Sequence, residues 1–312
     1  MVVDMTTISN EVLRGEKIRV PIDNRLGDRA GLEVDSSIFE PLRLRKRLEL
    51  LDALDAGFGD LEPGAFGEDA MKRGGESAHG IRSSLEDINA KVYESIRSEI
   101  AHGVRGHSLL RWFQASACGE EQDVPANGLA YDWRDDLLSG ILQLREPGES
   151  TDCRGREMVF YQPTPVRHIL RLIAASALTQ DDVLVDLGSG LGHVPLLVSM
   201  LAGVESLGIE VEAAYVATAR ECAERLHRDR VHFTHEDART ADLSGGTVLY
   251  VYSSFTGSIM ADVLGRLRRE GARRRIRICA LGPCVATLAK ESWLVASTAP
   301  DPDRITVFYS RE

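Results

Sequence analysis

The chain has 312 residues, of which 43% are hydrophobic and 27% are charged, so it can form a folded globular protein with a sizeable core. Its formal net charge of -11 argues against general electrostatic attraction to DNA, RNA or anionic lipid. Acidic residues interrupt residues 1–17 and the most apolar stretch, so neither a signal peptide nor a membrane-spanning helix is expected. The five cysteines form no C-x-x-C pair, which predicts reduced thiols and a cytoplasmic location.

The first half of the chain carries patterns that predict a mainly α-helical region. Leucines at roughly helical spacing predict an amphipathic helix over Leu42–Leu54. The glycine-rich segment Gly57–Gly80 that follows predicts a loop. Three further helices are predicted, from a capping box at Ser83 or Ser84 to about Gly103, over Leu109–Ala117 and over Trp133–Leu144.

A turn-rich break at Glu146–Ser150 predicts the boundary between an N-terminal domain, residues 1–150, and a C-terminal domain, residues 151–312. Beyond it, short apolar runs alternate with amphipathic helical patterns, which predicts an α/β fold with a mostly parallel seven-stranded sheet. The turn Ala299–Asp303 is too short for a helix, so the last two strands should form an antiparallel hairpin at the sheet edge. The predicted strands are Val183–Leu187, Ser206–Glu210, Val231–Thr234, Thr247–Tyr252, Ile276–Leu281, Trp293–Ser297 and Arg304–Tyr309.

A glycine-rich turn, Asp186–Gly192, follows the first predicted strand of the sheet and opens a predicted helix. Glycines let the backbone pass close to a ligand, and the free N–H groups of the helix start point towards it. A carboxylate at Glu210, the end of the next strand, can accept hydrogen bonds from ribose hydroxyls. Asp237, just after the third strand, can accept from an adenine amino group. Three successive strand ends thus predict a nucleotide site.

The combination resembles the class I methyltransferases that use S-adenosylmethionine (SAM), over about residues 160–312. The resemblance rests on the motif Asp186-Leu187-Gly188-Ser189-Gly190-x-Gly192 and on the acidic residues at the ends of the next two strands. The resemblance implies a Rossmann-like sheet with a reversed last strand. It also implies that Asp186 and the turn residues Gly188, Ser189 and Gly190 hold the amino-acid part of SAM. By the same resemblance Glu210 holds the ribose, and Asp237 the adenine.

A second resemblance concerns the segment Tyr161-Gln162-Pro163-Thr164-Pro165, just before the helix that leads into the sheet. It is similar to the corresponding loop of lysine methyltransferases without a SET domain, including the histone type (disruptor of telomeric silencing). This makes Thr164 a candidate cofactor residue, with a helix N-cap as the alternative. Ser253-Ser254-Phe255 stands where the histone type has Asn-Asn-Phe. The chain also lacks the Asn/Asp-Pro-Pro-Tyr signature of enzymes that methylate adenine.

Methyl transfer to an amine requires a neutral nucleophile aligned with the methyl group. An apolar, aromatic channel would lower the pKa of such an amine. Tyr161, Tyr252 and Phe255 are the candidates for this channel, with ordinary core packing as the alternative. Ser253 or Ser254 is the candidate to hydrogen-bond the acceptor.

Other polar clusters have ordinary explanations. His232 to Asp237 alternate along a strand without a cysteine partner, so no metal site is predicted. The arginine-rich run Arg266–Arg277 is expected to be a solvated helix end and loop, which disfavours a nucleic-acid partner. His193 is expected to pack at the start of its helix. The oligomeric state is not predicted.

These observations lead to a SAM-dependent methyltransferase as the main prediction, with a protein lysine as the acceptor. One alternative is a small-molecule methyltransferase in which residues 1–150 act as a lid over the acceptor pocket. The other is a module that binds SAM without catalysis. The acceptor and the role of residues 1–150, whether lid or partner-binding domain, stay open at the level of sequence.

Overall fold

The fold is described from a computed structural model, which describes residues 17–23, 29–58, 68–103, 107–115, 130–145, 161–252 and 255–311. The chain divides into two compact units. The smaller contains residues 1–95 and 114–118, and the larger contains residues 96–113 and 119–312. The boundary predicted at Glu146–Ser150 lies outside the described residues and stays a prediction.

The smaller unit contains a β-hairpin that the sequence analysis does not predict. Strand β1 (Lys17–Asp23) pairs antiparallel with strand β2 (Arg29–Asp35). Two short 3-10 turns follow, and then helix α1 (Leu44–Phe58) confirms the predicted leucine-rich helix. A small core of buried apolar side chains holds this unit together and consists of Ile38, Leu50, Leu54 and Leu85.

A buried arginine fastens the elements of the smaller unit to one another. The guanidinium of Arg47 donates to Oδ1 of Asn89 at 2.7 Å and to the carbonyl oxygens of Ile38 and Pro41, each at 2.9 Å. Burial lowers the pKa of Arg47 to about 10. Because a buried donor without partners is costly, these hydrogen bonds fix α1 against the turns before it and the helix after it.

Helix α2 (Glu68–Ala101) begins earlier than the sequence predicts. The predicted loop Gly57–Gly80 is wrong at Gly57 and Phe58, which end α1, and from Glu68 onwards, and residues 59–67 lie outside the described part of the chain. The capping box at Ser83 or Ser84 is also wrong, because both residues are inside the helix, where Oγ of Ser84 donates to the carbonyl of Gly80 at 2.9 Å. Glycine costs a helix about 1 kcal/mol per residue, so local propensity alone favours a loop there.

Two predicted helices from the first half of the sequence lie mainly in the larger unit. Helix α3 spans His107–Ala115 and helix α4 spans Trp133–Leu142. Helix α4 buries one face and contacts the next helix along the chain. Its last carbonyl, that of Leu142, accepts hydrogen bonds from Arg225 and from the thiol of Cys222. The buried side chains of α4 are Trp133, Leu137, Leu138, Ile141 and Leu142.

A seven-stranded sheet forms the centre of the larger unit and confirms all seven predicted strands. Its strand order is β5-β4-β3-β6-β7-β9-β8. The strands are β3 (Val183–Leu187), β4 (Glu205–Glu210), β5 (Val231–His235), β6 (Val248–Tyr252), β7 (Arg277–Leu281), β8 (Leu294–Ala296) and β9 (Thr306–Ser310). The connecting helices are α5 (Val166–Ser176), α6 (His193–Ala202), α7 (Ala213–Arg225), α8 (Gly257–Gly271) and α9 (Cys284–Leu288).

The topology explains where a ligand can bind. Strands β3 to β7 pair in parallel, whereas β9 runs antiparallel to both β7 and β8. After β3 the chain moves to β4 and β5 on one side, and it then returns to β6 on the other side of β3. Such a reversal leaves a crevice at the carboxyl ends of the strands. The fold is therefore a Rossmann-like α/β sheet with a reversed last strand, as predicted.

In the arginine-rich run Arg266–Arg277, four arginines are exposed, as expected for a solvated helix end and loop, but Arg266 and Arg274 have a structural role. Arg274 donates to the carbonyl oxygen of Leu243 at 2.6 Å and to that of Gly246, and Arg266 donates to the carbonyl of Ala241. These bonds attach the end of α8 to the loop before β6. Among the described residues no helix is long and apolar enough to span a membrane.

A buried polar network holds together the amino ends of β3, β6 and β7, at the edge of the sheet away from the crevice. Asp182 accepts hydrogen bonds from the hydroxyl of Thr247 at 2.7 Å, from the backbone N–H of Thr179 at 2.7 Å and from the guanidinium of Arg277. Burial raises the pKa of Asp182, but the hydrogen bonds outweigh it and lower the pKa to about 2. The ionised carboxylate is thus the stabilising form.

We expect Asp182→Asn to lower the free energy of unfolding by about 1–3 kcal/mol, because the charge-assisted bonds are lost. Since the pKa is depressed from about 3.9 in the unfolded chain, the stabilisation is present above about pH 4 and disappears as the pH falls through about 2. Denaturant unfolding between pH 7 and pH 2.5 measures this. The neighbouring exposed Asp181→Asn is the control, and equal effects of the two variants would contradict the role of the network.

Candidate functional site

A cavity of about 700 Å³ lies at the carboxyl ends of the parallel strands, where the topology predicts it. This volume is in the range of small-molecule sites. Ser253 lies outside the described residues, and Gly190 does not line the cavity, although its N–H donates to Glu210, which does. The other residues singled out from the sequence line the cavity, and they are Tyr161, Thr164, Asp186, Gly188, Ser189, Glu210, Asp237, Tyr252 and Phe255.

The glycine-rich turn is fastened to the neighbouring strand. The backbone N–H groups of Gly188 and Ser189 donate to the carbonyl of Ile209 at 2.9 and 3.1 Å. The N–H of Gly190 donates to one carboxylate oxygen of Glu210 at 2.8 Å, and the other oxygen accepts from the N–H of Glu212 at 2.9 Å. The turn and the Glu210 carboxylate therefore face each other across the ends of β3 and β4.

Tyr161 packs directly on this turn. Gly190 has a φ of +52°, and a Cβ atom added there would lie 2.1 Å from the Tyr161 ring, so only glycine fits. The Tyr161 ring lies 5.1 Å from that of Tyr215, centroid to centroid. Its hydroxyl lies 2.9 Å from Nδ1 of His193. Burial lowers the pKa of His193 to about 4, so its imidazole is neutral at physiological pH. Nδ1 can then accept a hydrogen bond from the Tyr161 hydroxyl.

Two carboxyl groups give one wall of the cavity a negative potential. Asp186 is only 3% exposed, and burial together with the charge of Glu210 raises its pKa well above the ordinary value. Unfavourable burial of two acids is relieved when a cation or several hydrogen-bond donors lie between them. This wall is complementary to a positively charged, donor-rich ligand.

Asp237 lines the same side of the cavity but has a partner within the chain. Arg239 forms a two-point ion pair with its carboxylate, at 2.6 and 3.0 Å to Oδ2, and the backbone N–H of Arg239 donates to Oδ1 at 2.8 Å. The hydrogen bonds from Arg239 lower the pKa of Asp237. Its orientation is therefore fixed by a residue two positions later.

Tyr250 is a cavity residue that the sequence analysis does not single out, because it lies within an apolar strand. It is 1% exposed, and its hydroxyl lies 3.0 Å from Oγ1 of Thr164. The N-cap alternative for Thr164 is wrong, because the N-cap position of α5 is Pro165 and no side chain of that residue caps it. Thr164 instead joins the segment before α5 to the centre of the sheet.

The opposite wall of the cavity, at the ends of β6 and β7, is mainly apolar. Tyr252 and Phe255 lie there. Phe255 lines the cavity and also packs in the hydrophobic core. Burial raises the pKa of Tyr252 to about 12, so its phenol is neutral at physiological pH. Further apolar lining comes from Ile259, Met260, Leu264 and Pro283.

The two walls fit SAM in their chemistry. SAM carries a cationic sulfonium and an ammonium group, which suit the acidic wall, and ribose hydroxyls, which suit a carboxylate such as Glu210. The buried hydroxyl of Ser189 has no hydrogen-bond partner among the described residues and lines the same wall. The described residues contain no group of side chains suited to a metal ion.

Comparison with known proteins agrees with this chemistry. Residues 158–256 match the family model "Histone methylation protein DOT1", which covers the segment before α5, the glycine-rich turn and the strands up to β6. The chain matches no curated protein.

Several solved structures are similar to part of the chain. An RNA methyltransferase from Salinibacter ruber, in complex with S-adenosyl-L-homocysteine (SAH), is 24% identical and covers 48% of this chain and 92% of its own, with a TM-score of 0.39. A human methyltransferase 10 domain containing protein is 15% identical and covers 56% and 91%, with a TM-score of 0.39. Similarities at this level do not identify an acceptor. The family match and the sheet with its glycine-rich turn identify the chain as a SAM-dependent methyltransferase of the class I fold.

Proposed function

We propose that the cavity binds SAM along its acidic wall and that the apolar wall receives a lysine side chain of a protein. The observation that carries this proposal is the contrast between the two walls at the carboxyl ends of β3 to β7. On the acidic wall, Asp186 and the turn Gly188–Gly190 hold the amino-acid part of the cofactor. Glu210 binds the ribose through the acceptor capacity that its two carboxylate oxygens retain beside their bonds to the N–H groups of Gly190 and Glu212. Asp237 lies where the adenine amino group is expected.

The methyl group comes activated by the positive sulfonium of SAM. What the chain must add is alignment of the acceptor with the bond between methyl carbon and sulfur. An ammonium cannot attack, so the acceptor must arrive as a neutral amine. Tyr252 and Phe255 disfavour the charged form, because apolar surroundings lower the pKa of an amine. Ser253, which lies outside the described residues, stays a candidate to hydrogen-bond the acceptor.

A protein lysine is the preferred acceptor for two reasons. The apolar wall suits the four-carbon stem of lysine, and the matching family is described by histone methylation. Phosphate-rich acceptors are disfavoured by the net charge of -11. Cys222, Cys279 and Cys284, the cysteines among the described residues, form no disulfide, which supports a reducing, cytoplasmic location. The role of residues 1–150 as a lid or partner-binding domain stays a prediction.

The cofactor site is tested by titration calorimetry with SAM and SAH. We expect Glu210→Gln to weaken both affinities by about tenfold or more, because a charge-assisted hydrogen bond to the ribose is worth about 1.5–3 kcal/mol. Glu205→Gln is the matched control, since it changes the opposite end of the same strand. Equal affinities of the two variants would show that the ribose binds elsewhere. Absence of binding to the wild-type protein would exclude catalysis by this site.

The acceptor is tested by incubating the protein and methyl-labelled SAM with a cell extract. We expect label in protein and, after acid hydrolysis, in methylated lysine. Tyr252→Ala should lower kcat more than it weakens SAH binding, because it changes the acceptor wall only. Exposed Tyr309→Ala is the control. Label confined to a small molecule would replace the lysine proposal with the small-molecule alternative.

A further inference from the structure

Helix α5 begins without a cap of its own, directly after the segment that borders the cavity. Its N-cap residue is Pro165, which has no side chain that can accept a hydrogen bond. The backbone N–H of Val166 instead donates to Oδ1 of Asp135 at 2.8 Å, across 31 positions of sequence. A carboxylate at a helix start is favoured by both the free N–H groups and the helix dipole.

The same carboxylate also closes the start of α4. Its second oxygen accepts from the backbone N–H of Asp132 at 2.7 Å, which completes the capping box of that helix. One side chain thus ties together the first turns of two helices. Since the buried face of α4 is packed in the larger unit, Asp135 offers α5 a firm anchor.

A second bond runs in parallel to the first. The hydroxyl of Tyr131 donates to the carbonyl of Pro163 at 2.8 Å. Residues 131–135 therefore hold the segment 161–166 at two points, one on each side of Thr164. We call residues 161–165 the lip of the cavity.

The lip carries side chains that reach both walls of the site. Tyr161 packs on Gly190 of the cofactor turn, and Thr164 contacts the hydroxyl of Tyr250 in the middle of the sheet. Gln162 and Pro163 also line the cavity. A displacement of the lip would therefore move the Tyr161 ring away from the turn that the proposed function assigns to SAM.

We propose that Asp135 is a positioning residue that holds the lip over the cofactor turn and thereby sets the affinity for SAM and SAH. This inference rests on the proposed function, because it assigns the cofactor to the wall beside Gly190. Asp135 does not line the cavity itself, so it acts through Val166 and the lip rather than by contact with the ligand.

The electrostatics of Asp135 agree with a role beyond stability. Its pKa is raised to about 6, mainly by burial and further by the nearby charges of Asp132 and Asp136. The hydrogen bonds from two backbone N–H groups lower the pKa, but they do not outweigh burial. A raised pKa means that folding favours the protonated form, so the ionised carboxylate is a cost to stability. At neutral pH it is nevertheless ionised, and both oxygens accept hydrogen bonds.

The test compares three variants of the full chain. Asp135→Ala removes both hydrogen bonds of the carboxylate, and Tyr131→Phe removes the hydroxyl that bonds to Gln162 and Pro163 of the lip. Asp132→Ala is the matched control, because its carboxylate caps α4 through the N–H of Arg134 while its backbone N–H, which donates to Asp135, remains. For each protein, calorimetry gives the SAH affinity, hydrogen exchange gives the protection of residues 161–169, and thermal unfolding gives Tm.

We expect Asp135→Ala to weaken SAH binding by about tenfold and to speed exchange in residues 161–169. Tyr131→Phe should act in the same direction with a smaller effect. Asp132→Ala should lower Tm but leave SAH affinity within about twofold of the wild type. Should Asp135→Ala fail to fold, Asp135→Asn, which keeps one acceptor oxygen, and Tyr131→Phe still test the lip.

The outcomes separate the two proposals. A wild-type protein that does not bind SAH overturns the proposed function and this inference with it. If the wild type binds SAH and Asp135→Ala binds it equally well, or if Asp135→Ala matches Asp132→Ala in both affinity and protection of residues 161–169, only the positioning role is overturned. Weakened affinity that follows Tm across all three variants would likewise reduce Asp135 to a structural residue.

Discussion

The hydrogen bond between the N–H of Gly190 and the carboxylate of Glu210 joins the two strand ends on which the site depends. It exists because β3 and β4 pair in parallel, so that both strands deliver their last residues to the same edge. The turn after β3 can approach Glu210 only because Gly190 has no side chain to collide with Tyr161. Backbone geometry, strand register and one aromatic ring thus fix the relative positions of the residues proposed to bind SAM.

The sequence predicts the sheet well because each strand is a short apolar run between helices, a pattern with few alternative structures. It also identifies the residues of the acidic wall, since an acid at the end of a parallel strand has a predictable position. Tyr250 was missed for a related reason. In a buried strand an aromatic residue looks the same whether it points into a core or into a cavity, and only the hydroxyl bond to Thr164 distinguishes the two.

Other features were beyond sequence reasoning because they depend on distant contacts or on weak local signals. The strands of the hairpin β1–β2 alternate apolar with polar residues, but Pro21 and Gly31 inside them weaken that signal, and α2 continues through glycines that locally favour a loop. The role of Asp135 is a clear example. Its spacing to Asp132 fits a capping box, but nothing in the sequence connects it to Val166, because only the packing of α4 against α5 brings them together.

The site and the stabilising network occupy opposite ends of the same strands. Asp182 stands just before β3 and binds Thr247 and Arg277 at the starts of β6 and β7, whereas the cavity opens where these strands finish. Residues on the apolar wall, the proposed acceptor side, can therefore be exchanged without disturbing the bonds that hold the sheet together. Such a division makes the fold evolvable, since new acceptors can be explored on one rim while the other rim preserves the framework.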